Sequence, residues 1–391
     1  MKKNFLIIII LCFALCGCAD YAELNKLSIV TAIGIDKSED EYEVTLLIAN
    51  SPKAETSSKE GEAKTTVYQG KGKSIAEAVK IIDKKTPKQL YFSHINVVVI
   101  SEEIGKEGFL NIADWLIRHP QTRNRFHLMQ VNNNKAGDVL KIISPLESFP
   151  SQSIATLIES NKNSRSVGDT ASYSNFIGRV LEKGYEPTMP TIKINGSIEE
   201  GSMQENLETT KPKTYLSLGP LAIYKNDKLI GTTTKKQTES IYIINNEAKE
   251  LTYEIKYKNN IINIFSNTIR TKIKLKNENT ADIYVKAKGT IYEANGNINL
   301  NSIKEIENIE KTWNKTIKKD LNNLIKEIKE NYQSDIFGFG NMIYKNYPKK
   351  WEKIKNNWNE KHFKKFNIKV HAETQIISTA SLTKTLKDDD K

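Results

Sequence analysis

All three cysteines of this chain lie within its first eighteen residues, at Cys12, Cys16 and Cys18. Lys2 and Lys3 precede them and are followed by the apolar run FLIIIILCFA at residues 5–14. A positive end, a short apolar core and small residues before a cleavage point are typical of a secretory signal peptide. The run is too short for a permanent membrane helix, which needs about 20 apolar residues. Covalent chemistry on a cysteine is therefore expected at the N-terminus.

The segment Leu15–Cys18 (LCGC) resembles a lipobox, the processing signal of bacterial lipoproteins. This resemblance implies a signal peptide at residues 1–17, cleavage between Gly17 and Cys18, and S-diacylglyceryl transfer to Cys18, whose amine could also be acylated. Cys16 is a less usual residue at its position than Ala or Ser. The alternative is an ordinary cleaved signal with an incidental cysteine. Two acyl chains would give stable membrane anchoring, and the exported body would fold without a disulfide.

The composition is that of a folded protein with conventional cores. The 391 residues are 38% hydrophobic and include 16 Tyr, 12 Phe and 4 Trp. A chain of this length is expected to form two or three domains. Its net charge of +11 is spread among acidic residues. For a membrane-tethered body this excess favours an anionic lipid surface over nucleic acid, and simple solubility is the plainer alternative.

Residues 18–196 predict an N-terminal α+β region, which could be two domains divided near residues 135–150. A capping box at Ser74 and Glu77 marks the start of an amphipathic helix. The other predicted elements are a hairpin of residues 28–36 and 42–50, strands at 90–100 and 125–131, and a helix at 109–117.

Residues 197–214 contain few apolar side chains and are interpreted as a linker or long loop before a C-terminal α+β domain at 215–382. Within that domain, residues 221–230 predict a hairpin, and residues 270–276 and 283–291 alternate as half-buried strands do. Apolar residues from Ile306 to Ile328 mark one long amphipathic helix. Residues 370–378 predict a closing strand, and residues 383–391 form a charged tail. The fold class is thus multi-domain α+β, with two or three domains expected, mixed or antiparallel sheets and packed helices.

The patterns of common catalytic and metal sites are absent from the sequence. The stretch GKGKS at residues 70–74 imitates a phosphate-binding loop, but Val67 stands where the first glycine is required. The histidines lack the spacing of a zinc site, and no serine lies in a nucleophile elbow. His94 falls inside a predicted strand and is interpreted as a hydrogen-bonded structural residue. No catalytic residue, metal or cofactor is therefore predicted, apart from the lipid on Cys18.

Ser334–Trp358 carries the strongest local pattern in the chain. Gly338 and Gly340 alternate with phenylalanines, which suits a tight loop where backbones approach closely. Beyond Pro348, Trp351 and Trp358 share one face of a predicted helix with Ile354, and lysines cover much of the rest. This face could pack on the C-terminal sheet, dock a partner protein or lie on a membrane. Together with Asp335, these two tryptophans and two glycines are the candidate structural or interface residues.

Several segments resemble the Ger(x)C lipoproteins, the C subunits of spore germinant receptors. The lipobox is followed by Asp20, Glu23 and the stretch AIGID at residues 32–36, which fit that family's pattern. The segment FSHINVVVISEEIGKEGFLNIADWLIRHPQTR fits as well, with His94, Gly108 and Arg118 at the expected positions. Ser334–Trp358 is the most specific match. The resemblance covers nearly all of residues 16–380, and TKKQTESIYIIN at 234–245 departs from it because a more glycine-containing segment is expected there.

This resemblance implies a non-enzymatic, three-domain α+β lipoprotein on the outer surface of the inner spore membrane. Its expected partners are an A-type integral membrane subunit, a permease-like B-type subunit and the bilayer, and its expected role is assembly or coupling in nutrient-triggered germination. A solute-binding lipoprotein of an ABC transporter is the alternative, and it would predict two α/β lobes around a cleft. A lipid-anchored cell-wall enzyme would need a carboxylate or metal constellation that the sequence does not display.

Overall fold

A computed structural model of the chain describes residues 26–50, 63–147, 149–164, 168–296 and 298–379. The expected signal peptide, Gly17, Cys18 and the tail at 383–391 lie outside the described residues. The described strands are β1 (Leu27–Ser38), β2 (Glu41–Ala49), β3 (Thr65–Gly72), β4 (Gln89–Tyr91), β5 (Val97–Ser101), β6 (His127–Val131), β7 (Thr188–Asn195), β8 (Tyr215–Lys225), β9 (Lys228–Thr232), β10 (Leu251–Tyr257), β11 (Asn260–Asn277), β12 (Thr280–Ala294) and β13 (Asn367–Ser378).

The longest described helix lies in the C-terminal half, as the apolar spacing indicates. The described α-helices are α1 (Ile75–Asp83), α2 (Glu102–Glu107), α3 (Leu110–Arg118), α4 (Ala136–Val139), α5 (Pro150–Ser164), α6 (Tyr173–Leu181), α7 (Ile198–Gly201), α8 (Glu205–Glu208), α9 (Lys235–Ile244), α10 (Ile303–Glu327), α11 (Phe339–Asn346) and α12 (Pro348–Ile354). Ser74 caps α1 by accepting a hydrogen bond from Glu77 N. The predicted long amphipathic helix is confirmed as α10.

The described strands form two sheets, one of nine strands and one of four. The larger sheet has the order β3-β2-β1-β5-β6-β7-β8-β9, and β4 pairs with β1 beside β5. Within this order, β5 is parallel to β1, β6 to β5 and β7 to β6. The pairs at both ends of the sheet are antiparallel: β3 with β2, β2 with β1, β7 with β8 and β8 with β9. The predicted hairpin at residues 28–50 is confirmed as β1 and β2. The fold is thus α+β with mixed sheets and packed helices.

Helices cover both faces of the larger sheet, and this explains the nearly continuous apolar character of its central strands. On β5, Val98 and Ile100 pack with α1, α2, α3 and α6. Val97 and Val99, which point the other way, pack with α4 and α5. A strand buried on two sides loses the alternation that would otherwise mark its inward face.

The predicted strand at residues 90–100 is interrupted. β4 and β5 both lie along β1, but the chain between them leaves the ladder. Phe92 N donates to Gln121 Oε1 and Ser93 Oγ donates to Gln121 O, so these groups are bonded to a loop instead of a strand. His94 therefore lies between strands and is exposed, with its ring 5.8 Å from that of Tyr91. Its placement inside a strand was wrong.

The hairpin predicted at 221–230 forms, but it belongs to the larger sheet. β8 pairs with β7 and β9 pairs with β8, so the sheet continues beyond the expected linker. Residues 197–214 contain the short helices α7 and α8, and Asn206 is buried there. Its side chain donates to Ile143 O and Thr214 O and accepts from Thr214 N. The segment is therefore tied down, while the number and boundaries of domains stay predictions.

The smaller sheet has the order β10-β11-β12-β13, with β13 parallel to β12 and the other pairs antiparallel. The alternation predicted in β11 and β12 is confirmed. One face packs on α10, where Ile309, Trp313, Ile317 and Leu321 are buried. The opposite face carries mostly exposed polar residues.

Candidate functional site

Ser334–Trp358 forms a buried junction between the C-terminal helices and the larger sheet. α10 continues into a wide helical turn at Ile328–Tyr332, which ends at Gln333 with φ of 47°. Ser334 Oγ then donates a hydrogen bond to Tyr224 O of β8 at 2.7 Å. We call the set of Asp335, Gly340, Trp358, Asn359 and Glu186 the Asp335 junction.

The Asp335 carboxylate is fully buried and accepts hydrogen bonds from groups of its own segment. Oδ2 accepts from Gly340 N at 2.6 Å and from Trp358 Nε1 at 2.9 Å, and Oδ1 accepts from Phe337 N at 3.3 Å. Burial raises the pKa of Asp335 to about 7, although these donors oppose the shift by favouring the ionised form. The segment thus holds a carboxyl group that titrates near neutrality.

Glu186 joins the same network from the loop between α6 and β7. Its backbone N donates to Asp335 O at 3.0 Å. Its carboxylate accepts from Asn359 Nδ2 at 2.6 Å and from Asn226 N at 2.5 Å, while Asp335 N donates to Asn359 Oδ1 at 3.0 Å. Burial is the largest cause of a raised Glu186 pKa. Asn359 therefore links the Glu186 carboxylate to the backbone of Asp335, which lies in a distant part of the chain.

Glycines let the two backbones approach closely. Gly184 has φ of 69°, and an added Cβ there would lie 2.6 Å from the Gly340 carbonyl carbon. A Cβ on Gly340 would lie 2.5 Å from Trp358 Nε1 and 2.9 Å from Gly184 Cα. Gly338 has φ of 75°, a left-handed conformation that favours glycine. Asn341 N donates to Gly184 O at 2.9 Å across this contact.

Both candidate tryptophans are buried in the C-terminal core. Trp351 and Trp358 are each 3% exposed, and their ring centroids lie 5.8 Å apart. Trp351 comes from α12 and Trp358 from the helical turn after it, so the predicted aromatic face exists but is broken at residues 355–357. The lysines of this segment point outward. Neither ring is available to a partner or a membrane. Of packing, docking a partner and lying on a membrane, the structure therefore supports packing for these two rings.

A cation borders the junction on the side of the larger sheet. Arg179 of α6 pairs with Glu247 at 2.8 Å, and its guanidinium lies 4.8 Å from the centre of the Tyr185 ring. The two paired side chains are 8% and 16% exposed. Lys345 pairs with Glu182 at 3.2 Å nearer the surface. Ion pairs thus surround the contact between Gly184 and Gly340.

The stretch AIGID at residues 32–36 has a separate structural role. Asp36 is buried and accepts from Ala136 N at 2.7 Å and Gly137 N at 3.0 Å, so it caps α4. A Cβ on Gly34 would lie 2.9 Å from the Ala136 carbonyl carbon. Burial raises the pKa of Asp36 to about 6. Glycine and aspartate are needed here because a helix end crosses directly over the strand.

Sequence reasoning missed Gly184, Glu186 and Asn359. They lie far along the chain from Asp335 or carry no pattern of their own, and only the fold brings them together. The turn GYEP at residues 184–187, with its glycine and proline, was the available signal. Gly108, expected from the resemblance, has φ of 125° and ends α2, and Arg118 pairs with Asp114 at 2.8 Å on the surface of α3.

The Asp335 junction has the chemistry of a structural joint. Its carboxyl and amide groups are bonded to other groups of the same chain. Among the described residues, no three His, Cys, Asp or Glu side chains are arranged to hold a metal ion. No helix within the described ranges of the chain is long and apolar enough to cross a membrane.

Two protein-family models match this chain, one for each half. Residues 20–194 match the spore germination protein N-terminal domain. Residues 220–380 match the family described as spore germination B3/GerAC like, C-terminal. The two matches together span most of the chain and follow one another in order.

Full-length relatives agree with both matches. Spore germination protein KC of Bacillus subtilis (strain 168) is 27% identical over 380 residues, which cover 93% of this chain and 92% of that protein. Spore germination protein B3 of the same organism is 23% identical over 391 residues, which cover 98% of this chain and 99% of the relative.

The fold is also similar to that of a solved structure, the crystal structure of the GerBC protein. The TM-score is 0.53 at 18% sequence identity, over 92% of this chain and 100% of that one. The likeness supports the α+β architecture with its long C-terminal helix. With both halves matched and full-length relatives of the same kind, the chain belongs to the Ger(x)C family of spore germination proteins.

Proposed function

We propose that the chain is the lipid-anchored C subunit of a nutrient germinant receptor and acts without catalysing a reaction. The observation that carries this proposal is the match of both halves, in order, to spore germination families. The lipobox at Leu15–Cys18 supports anchoring at Cys18. The body would then stand on the outer surface of the inner spore membrane, beside an A-type subunit and a permease-like B-type subunit.

The geometry supports a role in assembly or coupling. The Asp335 junction, a buried polar cluster, joins distant parts of one chain and leaves the outer surfaces free for contacts with other subunits. Coupling requires contacts that differ between the resting and triggered receptor, because a subunit shifts an equilibrium only through differential interactions. No cofactor is part of this proposal.

The fold gives the transporter alternative less support. A solute-binding lipoprotein would have two α/β lobes built from repeated βα units around a cleft. Here β10, β11 and β12 follow one another as antiparallel neighbours, and one long helix covers them. This arrangement agrees with the family matches.

A cysteine exchange tests the anchor and the function together. We expect mass spectrometry of the chain from dormant spores to find a diacylglyceryl group on Cys18. Cys18→Ala should remove the chain from the spore membrane fraction and abolish the nutrient response that depends on it. Cys16→Ala is the matched control, because it retains the lipobox pattern and should leave both unchanged. A Cys18→Ala variant that stays in the membrane fraction and responds normally would refute the proposal.

A further inference from the structure

The smaller sheet has one face that no helix of the described chain covers. Along β11, Ile273 and Leu275 point to the core while Arg270, Lys272 and Lys274 are exposed. The same alternation holds on β12 and β13. The outward residues of the three strands therefore form one continuous surface.

Cations dominate this surface, which we call the basic face. It comprises Arg270, Lys272, Lys274, Lys276, Lys286, Lys288 and Lys369, together with the acidic residues Asp282 and Glu373. Lys286 pairs with Glu373 at 2.8 Å and Lys276 approaches Asp282 at 3.5 Å. Both acidic groups are thus already paired, and the remaining cations exceed them.

One pair of like charges lies opposite each other within the basic face, although Lys286 of that pair also contacts Glu373. Arg270 lies directly opposite Lys286 in the register of β11 and β12. Side chains in such positions have Cβ atoms about 4.5–5.5 Å apart, and equal charges there are unfavourable. An external anionic surface would relieve this repulsion.

The same cations border a groove of about 960 Å³ between the loop after α9 and the strands. The strands contribute Arg270, Lys272, Lys274 and Lys286, and the loop contributes Asn246, Lys249 and one acidic residue, Glu250. The positive charge is therefore concentrated over a concave surface, which strengthens the local field.

Apolar side chains stand at one end of the basic face. Phe265 on β11, Tyr292 on β12 and Ile377 on β13 are 37%, 52% and 56% exposed. Neighbours in the chain, such as Ile264 and Ile291, point to the core instead. Aromatic and aliphatic side chains beside lysines are the combination that interfacial membrane segments present to lipid.

We propose that the basic face lies on an anionic membrane surface and binds phospholipid headgroups. A protein partner is less well matched, because lysine is depleted in protein interfaces whereas six of these seven cations are lysines. Anionic lipids attract each lysine or arginine near their surface and need no single geometry. The inference rests on the proposed function in one respect: that proposal identifies the membrane as the inner spore membrane.

Vesicle partitioning tests the proposal. The full chain carrying Cys18→Ser is mixed with phosphatidylcholine vesicles that contain or lack phosphatidylglycerol, and the bound fraction is measured by sedimentation. We expect a preference for phosphatidylglycerol that weakens as salt is added. In the same background, Arg270→Gln, Lys272→Gln and Lys288→Gln together should reduce that preference on the order of 100-fold.

The matched control removes three charges from the opposite layer. Lys311, Lys315 and Lys318 are exposed on α10, and their exchange for Gln should change the preference far less. If both triple variants lost the preference for phosphatidylglycerol equally, net charge alone would explain it and the proposal would be overturned. It would also be overturned if the parent chain bound both kinds of vesicle equally. Because no other subunit is present, failure of the receptor assignment would leave this result unaffected.

Discussion

At the scale of single residues, the chain uses buried carboxyl groups to fix backbone geometry. Asp335 accepts from Gly340 N and Trp358 Nε1, and Asp36 accepts from the first two backbone N–H groups of α4. Each carboxyl satisfies donors that would otherwise be buried without a partner, which is costly. Burial raises the pKa of both groups.

The raised pKa of Asp335 predicts a specific pH dependence of stability. An acid whose pKa is about 7 in the folded chain and 3.8 as a reference value binds more protons when folded. Its contribution to the free energy of unfolding is therefore largest below the reference value and is lost as pH rises through about 7. In urea unfolding experiments, the free energy of unfolding of the parent chain should fall between pH 4 and pH 8. In Asp335→Asn this fall should be smaller by on the order of 2–4 kcal/mol. If the free energy of unfolding fell equally with pH in both proteins, this assignment would be contradicted. Other titrating groups such as Asp36 do not affect the comparison, because both proteins contain them.

The close contact between Gly184 and Gly340 predicts an unequal response to added methyl groups. Gly340→Ala forces a Cβ against Trp358 Nε1 and Gly184 Cα, which should lower the free energy of unfolding by about 1–3 kcal/mol. Gly178 in α6 is the matched control, since its Cβ would meet nothing within 4 Å. Gly178→Ala should be neutral or stabilise by up to about 1 kcal/mol because alanine favours helices. Chemical denaturation measures both, and equal effects would be inconsistent with the packing described.

Local sequence predicts residues whose role depends on their neighbours in the chain. Ser74 was identifiable as a helix cap, and Gly338 and Gly340 as positions for close approach. Glu186 and Gly184 were not, because their partners lie about 150 residues away and pairing over that distance leaves no local pattern.

At the scale of elements, the side chain of Asn206 is one of the main contacts that hold the segment 197–214. Asn206 makes three hydrogen bonds to the backbones of Ile143 and Thr214. Asn206→Ala would leave Thr214 N buried without an acceptor, at a cost of about 1–3 kcal/mol. We expect faster hydrogen exchange confined to α7, α8 and the start of β8. Gln204→Ala, at an exposed position two residues earlier, should leave exchange unchanged, and unchanged exchange in Asn206→Ala as well would refute this role.

Element type was predictable here, whereas sheet membership was not. The period of two in β11 and β12 and the helical spacing in α10 directly indicate half-buried elements. The hairpin of β8 and β9 has equally clear local signals, but they do not specify that β8 pairs with β7 rather than with a strand after it. Strand pairing depends on packing across the whole sheet, so the pairing of β8 with β7 could not be read from the hairpin's own residues.

At the scale of the whole molecule, the two matched regions are not independent. The second region, residues 220–380, begins inside β8, which pairs with β7 from the first region. The Asp335 junction connects them a second time through Glu186. The two regions are therefore joined both by strand pairing and by a hydrogen-bonded contact.

Cutting the backbone between the halves tests this connection. Thr209 and Thr210 are exposed, and a specific protease site inserted between them should be cleaved in the folded chain. We expect both fragments to elute together from a sizing column after cleavage, because β7–β8 pairing and the junction remain intact. Separate elution in buffer without denaturant would show that these contacts are too weak to hold the halves together.

The measurement that tests the account most directly is affinity purification of the tagged chain from gently solubilised dormant-spore membranes, followed by mass spectrometry of the proteins that accompany it. The account predicts enrichment of an A-type germination subunit and a permease-like B-type subunit, relative to the same preparation from a Cys18→Ala strain. Enrichment of a transporter permease and its ATPase, without germination subunits, would contradict the account and favour a solute-binding lipoprotein.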